Sequence, residues 1–172
     1  MTSLDLQLGI VQESVPPDVY YDAFPTGSDV QLVVFGLSYQ CWRCHEISTP
    51  IVALLQRFGG RVFDDDLVVA DDEVMRRLAW GLVPETARSF FRVGEVKPRY
   101  STTLGKEYLS NGCASCDALF GDHFLIVESL PEVLATEGIA GLIPLAASSL
   151  HESAWNLALF AHFSNRVGPD CC

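Results

Sequence analysis

The segment SYQCWRCHEISTP, residues 38–50, places Cys41 and Cys44 in the middle of a run with the composition of a β-strand. The residues before the pair, VQLVVFGLSYQCW, are mostly β-branched or aromatic and predict a strand that leads into it. The residues after the pair, ISTPIVALLQRF, predict a return strand that ends at the glycines of positions 59 and 60. The sequence therefore predicts two neighbouring strands with a C-x-x-C turn between them.

The same cysteine spacing occurs a second time, in NGCASCDALFGD, with Cys113 and Cys116. The segment before it, RYSTTLGKEYLSNGC, predicts a β-hairpin with strands at 100–103 and 106–109 that turns at Leu104 and Gly105. Tight C-x-x-C turns direct both sulfurs of a pair at one centre, and Zn²⁺ is satisfied by four thiolates in a tetrahedron. Since four thiolates leave no open coordination position, the sequence predicts a structural zinc ion.

The two pairs are separated by 68 residues, far more than the roughly 15 to 20 of a compact zinc ribbon. An insertion between the two halves is tolerated because the entropic cost of closing a loop grows slowly with its length. We therefore predict a split four-cysteine zinc ribbon. Two alternatives stay open: unliganded or disulfide-forming cysteines, and a redox pair. A redox C-x-x-C usually lies at the start of a helix that lowers the thiol pKa, and neither pair here is followed by a convincing helical pattern.

Two longer strings carry a resemblance, CWRCHEISTPIVAL and RYSTTLGKEYLSNGCASCDALFGDHFL. They resemble paired zinc-knuckle segments of uncharacterised bacterial proteins, over about 45 of the 172 residues. The resemblance implies a shared zinc-binding module, and it implies no biochemical role. The implied ligands are Cys41, Cys44, Cys113 and Cys116. The chain differs from the usual knuckle at His45 and Asp117, which stand where a glycine commonly follows the pair.

Length and composition predict one compact domain with its own core, because the chain has 172 residues and 49% of them are hydrophobic. The N-terminus lacks the basic and small-residue features of a secretory signal, and no apolar run is long enough to span a membrane. A cytoplasmic protein is predicted. In a reducing compartment, paired cysteines are more often metal ligands or catalytic thiols than disulfides.

The predicted fold class is α+β, with a small antiparallel sheet around the split zinc ribbon and helices packed on it. Residues 1–29 are predicted to form an N-terminal arm laid over a single domain, 30–172, which contains a helical insertion at about 61–98. Helices are predicted at 72–80, with Arg76 and Arg77 toward its C-terminal end, and at 84–91, with Gly94 just past its end. A strand is predicted after Cys116. Two helices are predicted in the tail, at 131–138 and at 152–163, and the second should be buried or docked against something because it is apolar on most sides.

The net charge of −11 argues against general binding to a phosphate backbone and favours a protein partner, such as the basic toxin or nuclease that an acidic inhibitor or immunity protein neutralises. No membrane partner and no particular oligomeric state are predicted. Ten of the eleven basic residues nevertheless lie between positions 43 and 106, near the cysteines. A nucleic-acid-binding zinc ribbon is therefore the alternative. The residues that it would use are Arg43, Arg57, Arg61, Arg99 and Lys106.

Other chemistry-bearing residues are weaker candidates. The segments FDDDL and ADDEV put six acidic residues into ten positions, where Asp65 and Asp72 could hold a divalent ion, but no Lys or His accompanies them in a nuclease-like spacing. A protein without enzymatic activity is therefore the favoured interpretation. The histidines at 45 and 123 lie near the cysteine pairs, and those at 151 and 162 lie about three helical turns apart, too far for one metal. The terminal cysteines at 171 and 172 are predicted to be exposed thiols.

Overall fold

The computed structural model describes residues 29–57 and 67–166, with the side chains of 165 and 166 left out. The predicted arm, apart from Asp29, lies outside the described residues, as do Arg61, Asp65, Cys171 and Cys172. The described strands are, in chain order, β1 (Asp29–Gly36), β2 (Tyr39–Gln40), β3 (Ile47–Ser48), β4 (Ile51–Arg57), β5 (Leu67–Val69), β6 (Lys97–Ser101), β7 (Lys106–Gly112), β8 (Leu119–Phe120) and β9 (Ile143–His151). The described α-helices are α1 (Glu73–Leu82), α2 (Glu85–Phe90), α3 (Leu130–Glu137) and α4 (Glu152–Arg166). These elements confirm the predicted α+β class.

The core is built on a four-stranded antiparallel sheet with the strand order β5-β4-β1-β9. Successive side chains of a strand point to opposite faces, so β1 contributes to two hydrophobic clusters. Leu32 and Val34 pack with residues of α1 and with Trp155 of α4, whereas Val33 and Phe35 pack with Leu130 at the start of α3. The sheet is therefore covered by helices on both faces, which explains why β1 is a nearly continuous apolar run.

The segment between the two cysteine pairs contributes to this core. Strand β5 extends the main sheet beside β4, and Met75 and Ala79 of α1 are fully buried. Helix α1 begins where predicted, because Asp72 caps it by accepting a hydrogen bond from the backbone N–H of Met75 at 2.9 Å. The 61–98 segment thus supplies one strand and two helices to the described structure.

The two arginines of α1 differ from the prediction. They lie in the middle of the helix, and its last turn has no basic residue. Arg76 is 1% exposed and donates hydrogen bonds to the backbone carbonyls of Ala70 and Leu109, and its guanidinium pairs with Asp122 at 3.0 Å. Arg77 is exposed and pairs with Glu73 one turn earlier. The prediction was wrong because the helix continues to Leu82. Arg76 instead joins α1 to β7, and the sequence around Arg76 does not indicate this contact.

Helix α2 is shorter than predicted and ends differently. The chain leaves it through Arg92, which adopts the left-handed conformation at φ 57°, so the predicted terminal role of Gly94 is wrong. Gly94 is needed for another reason. A β-carbon there would lie 1.9 Å from the carbonyl oxygen of Gly112 in β7, so only glycine permits the two backbones to approach this closely.

The region after Cys116 also differs from the prediction. Only Leu119–Phe120 forms a strand, and His123–Ser129 forms a π-helical segment that continues into α3. The apolar run in this segment fits either a strand or a helix, and the structure buries Leu125 while Phe124 and Val127 stay more than half exposed. Helix α3 ends at Gly138 with φ 65°, as predicted.

Strand β9 was not predicted. It pairs antiparallel with β1 from one end to the other, with Asp29 opposite His151 and Gly36 opposite Ile143. Its centre, Ala-Ala-Ser-Ser, has little intrinsic preference for a strand, so its conformation comes from pairing with β1. His151 therefore belongs to a strand, whereas His162 belongs to the helix that follows it.

Helix α4 buries one side only. Trp155 and His162 are fully buried, and the His162 Nδ1 atom is hydrogen-bonded to the Asp72 carboxylate at 2.5 Å, which joins α4 to α1. The outer side exposes 69% of Leu157 and 71% of Phe160, so the helix is docked on the core by one side and is not buried all round. None of the helices in the described residues has the length and apolar character that a membrane crossing requires.

Candidate metal centre

The structure brings together the sulfurs of the four predicted cysteines. All four Sγ atoms lie within 4.8 Å of one another, although 68 residues separate the two pairs. The Sγ atoms of Cys41 and Cys116 are 3.6 Å apart, and those of Cys44 and Cys113 are 3.5 Å apart. Cys41 and Cys113 are buried, whereas Cys44 and Cys116 are partly exposed. Each C-x-x-C turn thus supplies one inner and one outer sulfur.

The distances between the sulfurs exclude a disulfide bond within the cluster of this structure. A disulfide has its sulfurs about 2.05 Å apart, and all four cysteines are free. Four sulfurs at about 2.3 Å from one zinc ion lie about 3.8 Å from each other in a regular tetrahedron. Two distances, 3.5 and 3.6 Å, join cysteines of opposite pairs, as expected of ligands around a common centre. The four-cysteine cluster could bind a metal ion.

The two turns that carry the cysteines have the same backbone structure. In each, the first cysteine carbonyl accepts the N–H of the fourth residue after it, and its own N–H donates to the carbonyl of the fifth. The N–H two residues after the first cysteine points at its sulfur at 3.4 Å in both turns. Amide hydrogens directed at sulfur favour the thiolate form. The donors to sulfur are the backbone amides of Arg43 and Ser115.

Each turn closes through a residue with a left-handed backbone. His45 has φ 61° and Asp117 has φ 59°, and these are the positions where a glycine commonly follows the cysteine pair. At both positions the backbone therefore has the conformation that glycine adopts most readily, although the residues are histidine and aspartate. A left-handed conformation costs a residue other than glycine about 1–2 kcal/mol, although aspartate tolerates it better.

Replacing these two residues by glycine should have opposite effects. The His45 side chain is exposed, so we expect His45→Gly to leave metal content unchanged and to change the free energy of unfolding by less than about 1 kcal/mol, in the stabilising direction. Asp117→Gly should destabilise the protein because Asp117 is held by two cations. Chemical denaturation of both variants, with metal content measured in parallel, tests this pair. Loss of metal from His45→Gly would show that the histidine is a ligand.

Asp117 is held by Arg99 at 2.5 Å and by Lys97 at 2.9 Å, both from β6. Partial burial raises the pKa of the Asp117 carboxyl, but the hydrogen bonds from Arg99 and Lys97 outweigh it and keep the pKa below its ordinary value. The Arg99 guanidinium also donates to the backbone carbonyls of Ser110 and Glu95. It crosses the chain at Gly112, where a β-carbon would lie 2.2 Å from its Nη2 atom. Strand β6 therefore braces the second knuckle.

Three further side chains connect the two halves of the site. The Asn111 amide makes two hydrogen bonds to the backbone of Ile51, at 3.0 and 2.9 Å, and so ties β7 to β4. The buried Ser48 hydroxyl contacts the Cys113 sulfur at 3.6 Å and accepts the N–H of Ala114 at 3.0 Å. The arginine at position 92 donates to the carbonyl of Ile47, to Glu46 and to Ser115. The halves are thus joined by the protein's own hydrogen bonds.

The chemistry of the sulfurs follows from these neighbours. Burial raises the pKa of the Cys113 thiol, but hydrogen bonds from the Ser48 hydroxyl and from the amides of Cys116 and Ser115 lower it by more, to about 6. The amide of Glu46 lowers the pKa of Cys44, whereas burial and the other cysteines raise it by more, to about 12. The surroundings therefore favour the thiolate of Cys113 and disfavour that of Cys44. A cation among the sulfurs would favour ionisation of Cys44.

The other predicted candidates lie elsewhere or have other partners. The exposed His123 pairs with Glu128 at 3.1 Å, outside the sulfur cluster. Both carboxylate oxygens of Asp72 are used, one in the α1 cap and one by His162. Arg99, predicted for a nucleic-acid surface, is only 9% exposed and is bound to Asp117 and to carbonyls.

Comparisons with protein-family models, with curated proteins and with solved structures found no match to this chain. The resemblance to paired-knuckle segments therefore rests on the two cysteine segments, whose four sulfurs the structure places together.

The sequence did not point to Ser48, Arg92 or Asn111 as parts of the site. One local signal existed for Asn111, which is a polar residue two positions before a cysteine and close to a predicted strand. A buried polar side chain at such a position needs a hydrogen-bond partner. Arg92 had no such signal, since its contacts lie 45 residues away at Ile47 and 23 residues away at Ser115.

Proposed function

We propose that the chain is a non-enzymatic interaction protein stabilised by one structural Zn²⁺, with all four cysteines of the cluster as ligands. The observation that carries the proposal is the sulfur cluster itself, which contains four thiols and no histidine or carboxylate. Thiolates are soft ligands that favour zinc, and a tetrahedron of four leaves no position for a water or a substrate. A metal so enclosed supports the fold instead of performing a reaction.

A protein partner is favoured by the surface of the first knuckle. Trp42 lies between the two ligands of this turn and is 65% exposed, yet its indole N–H is fixed by the carbonyl of Leu119 at 3.0 Å. A rigid, exposed tryptophan is the type of residue that contributes most to protein–protein binding. Ile47, at the end of the same turn, is also exposed. The net charge of −11 favours a partner with a basic surface. Such a partner would be the target of an acidic inhibitor or immunity protein.

Trp42→Ala should separate this function from the fold. We expect a tagged wild-type chain to retain a specific basic protein from its own cells at low salt, and the Trp42→Ala variant to lose it. The matched control is Leu157→Ala, which truncates an equally exposed residue on α4, and it should retain the partner. With the partner purified, Trp42→Ala should weaken binding at least tenfold and leave zinc content unchanged. Equal binding by both variants, or retention of nucleic acid instead of protein, would refute the proposal.

A further inference from the structure

An open groove of about 640 Å³ lies between α2 and the second knuckle. Trp80, Glu85 and Arg88 line it on the helical side, and Ala114 and Ser115 line it on the side of the knuckle. The groove adjoins the second cysteine turn, and none of the four sulfurs lines it.

Arg88 is the unusual residue of this groove. Its guanidinium carbon lies 4.2 Å from the centre of the Trp80 ring, so the charged group is stacked on the indole. Its Nε atom is buried, and among the described residues it has no hydrogen-bond partner. No carboxylate in the described part of the chain pairs with Arg88, although acidic residues outnumber basic ones two to one. The groove thus contains a positive charge that no carboxylate of the described residues neutralises.

Two other charged groups of the groove are paired. Arg92 pairs with Glu46 at 3.0 Å, and Glu95 pairs with Lys97 at 3.0 Å. Arg88 differs from these two, because among the described residues it has an aromatic platform and no paired carboxylate. Stacking on Trp80 fixes the plane of the guanidinium, and a guanidinium in a fixed plane presents a fork of N–H donors that matches two oxygens of a planar anion.

We propose that this groove binds a carboxylate group through the guanidinium of Arg88. A planar carboxylate fits the fork in a bidentate manner, and it carries one negative charge. Inorganic phosphate carries up to two charges near neutral pH, and Glu85 and Glu95 in the lining oppose a dianion more strongly than a monoanion. The carboxylate can belong to a small organic acid or to a polypeptide, and both offer the same group to Arg88.

The experiment is a titration of the full chain, loaded with its metal, in which the NMR signal of the Arg88 Nε–H is followed. The probes are propionate, a short peptide with one glutamate and an amidated C-terminus, and inorganic phosphate. We expect saturable shifts with propionate or with the peptide, with half-saturation on the order of 10 mM as befits a few contacting atoms, and weaker binding of phosphate. The tighter of the two carboxylate probes identifies the source of the group.

Variants make the assignment specific. Arg88→Gln should weaken carboxylate binding at least tenfold, and Arg88→Lys should weaken it less because the charge remains. Binding to these variants is measured by the NMR shift of the Trp80 indole N–H. The matched control is Arg77→Gln, which removes an exposed arginine of α1 and should bind as the wild type does. Unchanged spectra elsewhere confirm that the variants are folded. The proposal is overturned by the absence of saturable shifts, by equal binding in Arg88→Gln, or by phosphate binding as tightly as the carboxylates.

Discussion

Replacing Cys113 by serine should remove the bound metal and lower the free energy of unfolding by about 3 kcal/mol or more. For a chain of this size that loss corresponds to a decrease of about 10 °C in the midpoint of thermal unfolding. The thiolate form of Cys113 is stabilised by hydrogen bonds from the Ser48 hydroxyl and from the amides of its own turn. Structural zinc contributes about 10–16 kcal/mol in small zinc fingers. Here only part of such a contribution should be lost, because Asn111 still joins the two halves.

The control for this substitution lies in the same chain. Cys171 and Cys172 are not among the predicted ligands, so changing both to serine makes the same chemical replacement without touching a predicted ligand. This double variant should keep its metal and its thermal midpoint. Calorimetry gives the thermal midpoint of the two proteins, and elemental analysis gives their metal content. A Cys113→Ser protein as stable as the wild type would mean that the cysteines contribute only as small buried side chains.

Gly94→Ala should be the most damaging substitution outside the cysteines. The added methyl group would lie 1.9 Å from the carbonyl oxygen of Gly112 and 3.0 Å from the backbone nitrogen of Ala114, so backbone would have to move. Gly112 cannot retreat easily, because Arg99 packs against its other side and Cys113 follows it. Forcing extra atoms into such a contact costs about 1–3 kcal/mol, and we expect the upper end of that range together with weaker metal retention.

Gly81→Ala is the matched control. Gly81 is exposed near the end of α1, and nothing lies within 4 Å of the position that its β-carbon would take. The same chemical change there should stabilise the protein by about 0.5 kcal/mol, because alanine favours a helix more than glycine does. Urea denaturation of the two variants should therefore give changes of opposite sign. Equal stability of Gly94→Ala and the wild type would show that the second knuckle is not packed against residue 94.

The parts of the structure that the sequence predicted are local. A C-x-x-C pair between strand-like segments specifies a tight turn with both sulfurs on one side, and its repetition at Cys113 specifies a second one. The cap at Asp72 and the end of α3 at Gly138 are equally local, since each depends on one residue and its near neighbours. The α+β class follows from these segments taken together.

The parts that the sequence did not predict depend on distant contacts. Strand β9 has a weak local preference and is held by β1, which is more than 100 residues earlier in the chain. Arg99 was expected on a nucleic-acid-binding surface and Arg76 toward the C-terminal end of its helix. Both are buried because backbone carbonyls and one carboxylate each surround their guanidinium groups. No pattern within a short window shows where those acceptors will be.

The hydrogen bonds across the site also bear on how the metal acts. Asn111, Ser48 and Arg92 connect the first knuckle and its return strand to the second through hydrogen bonds to the backbone of Ile51, the N–H of Ala114 and the Ser115 hydroxyl, none of which involves a sulfur. A metal ion among the cysteines would then reinforce an arrangement that the protein already favours. This differs from a small zinc finger, where metal binding and folding are one event.

Counting metal ions and protected thiols in the same sample tests whether the four cysteines of the cluster hold one zinc ion. Protein purified without chelator is analysed for metal content and treated with a thiol-alkylating reagent, and the labels are counted by mass spectrometry. The account predicts about one zinc per chain, with four of the six cysteines protected until a chelator is added. Absence of metal, with all six thiols reactive or with a disulfide inside either C-x-x-C pair, would contradict it.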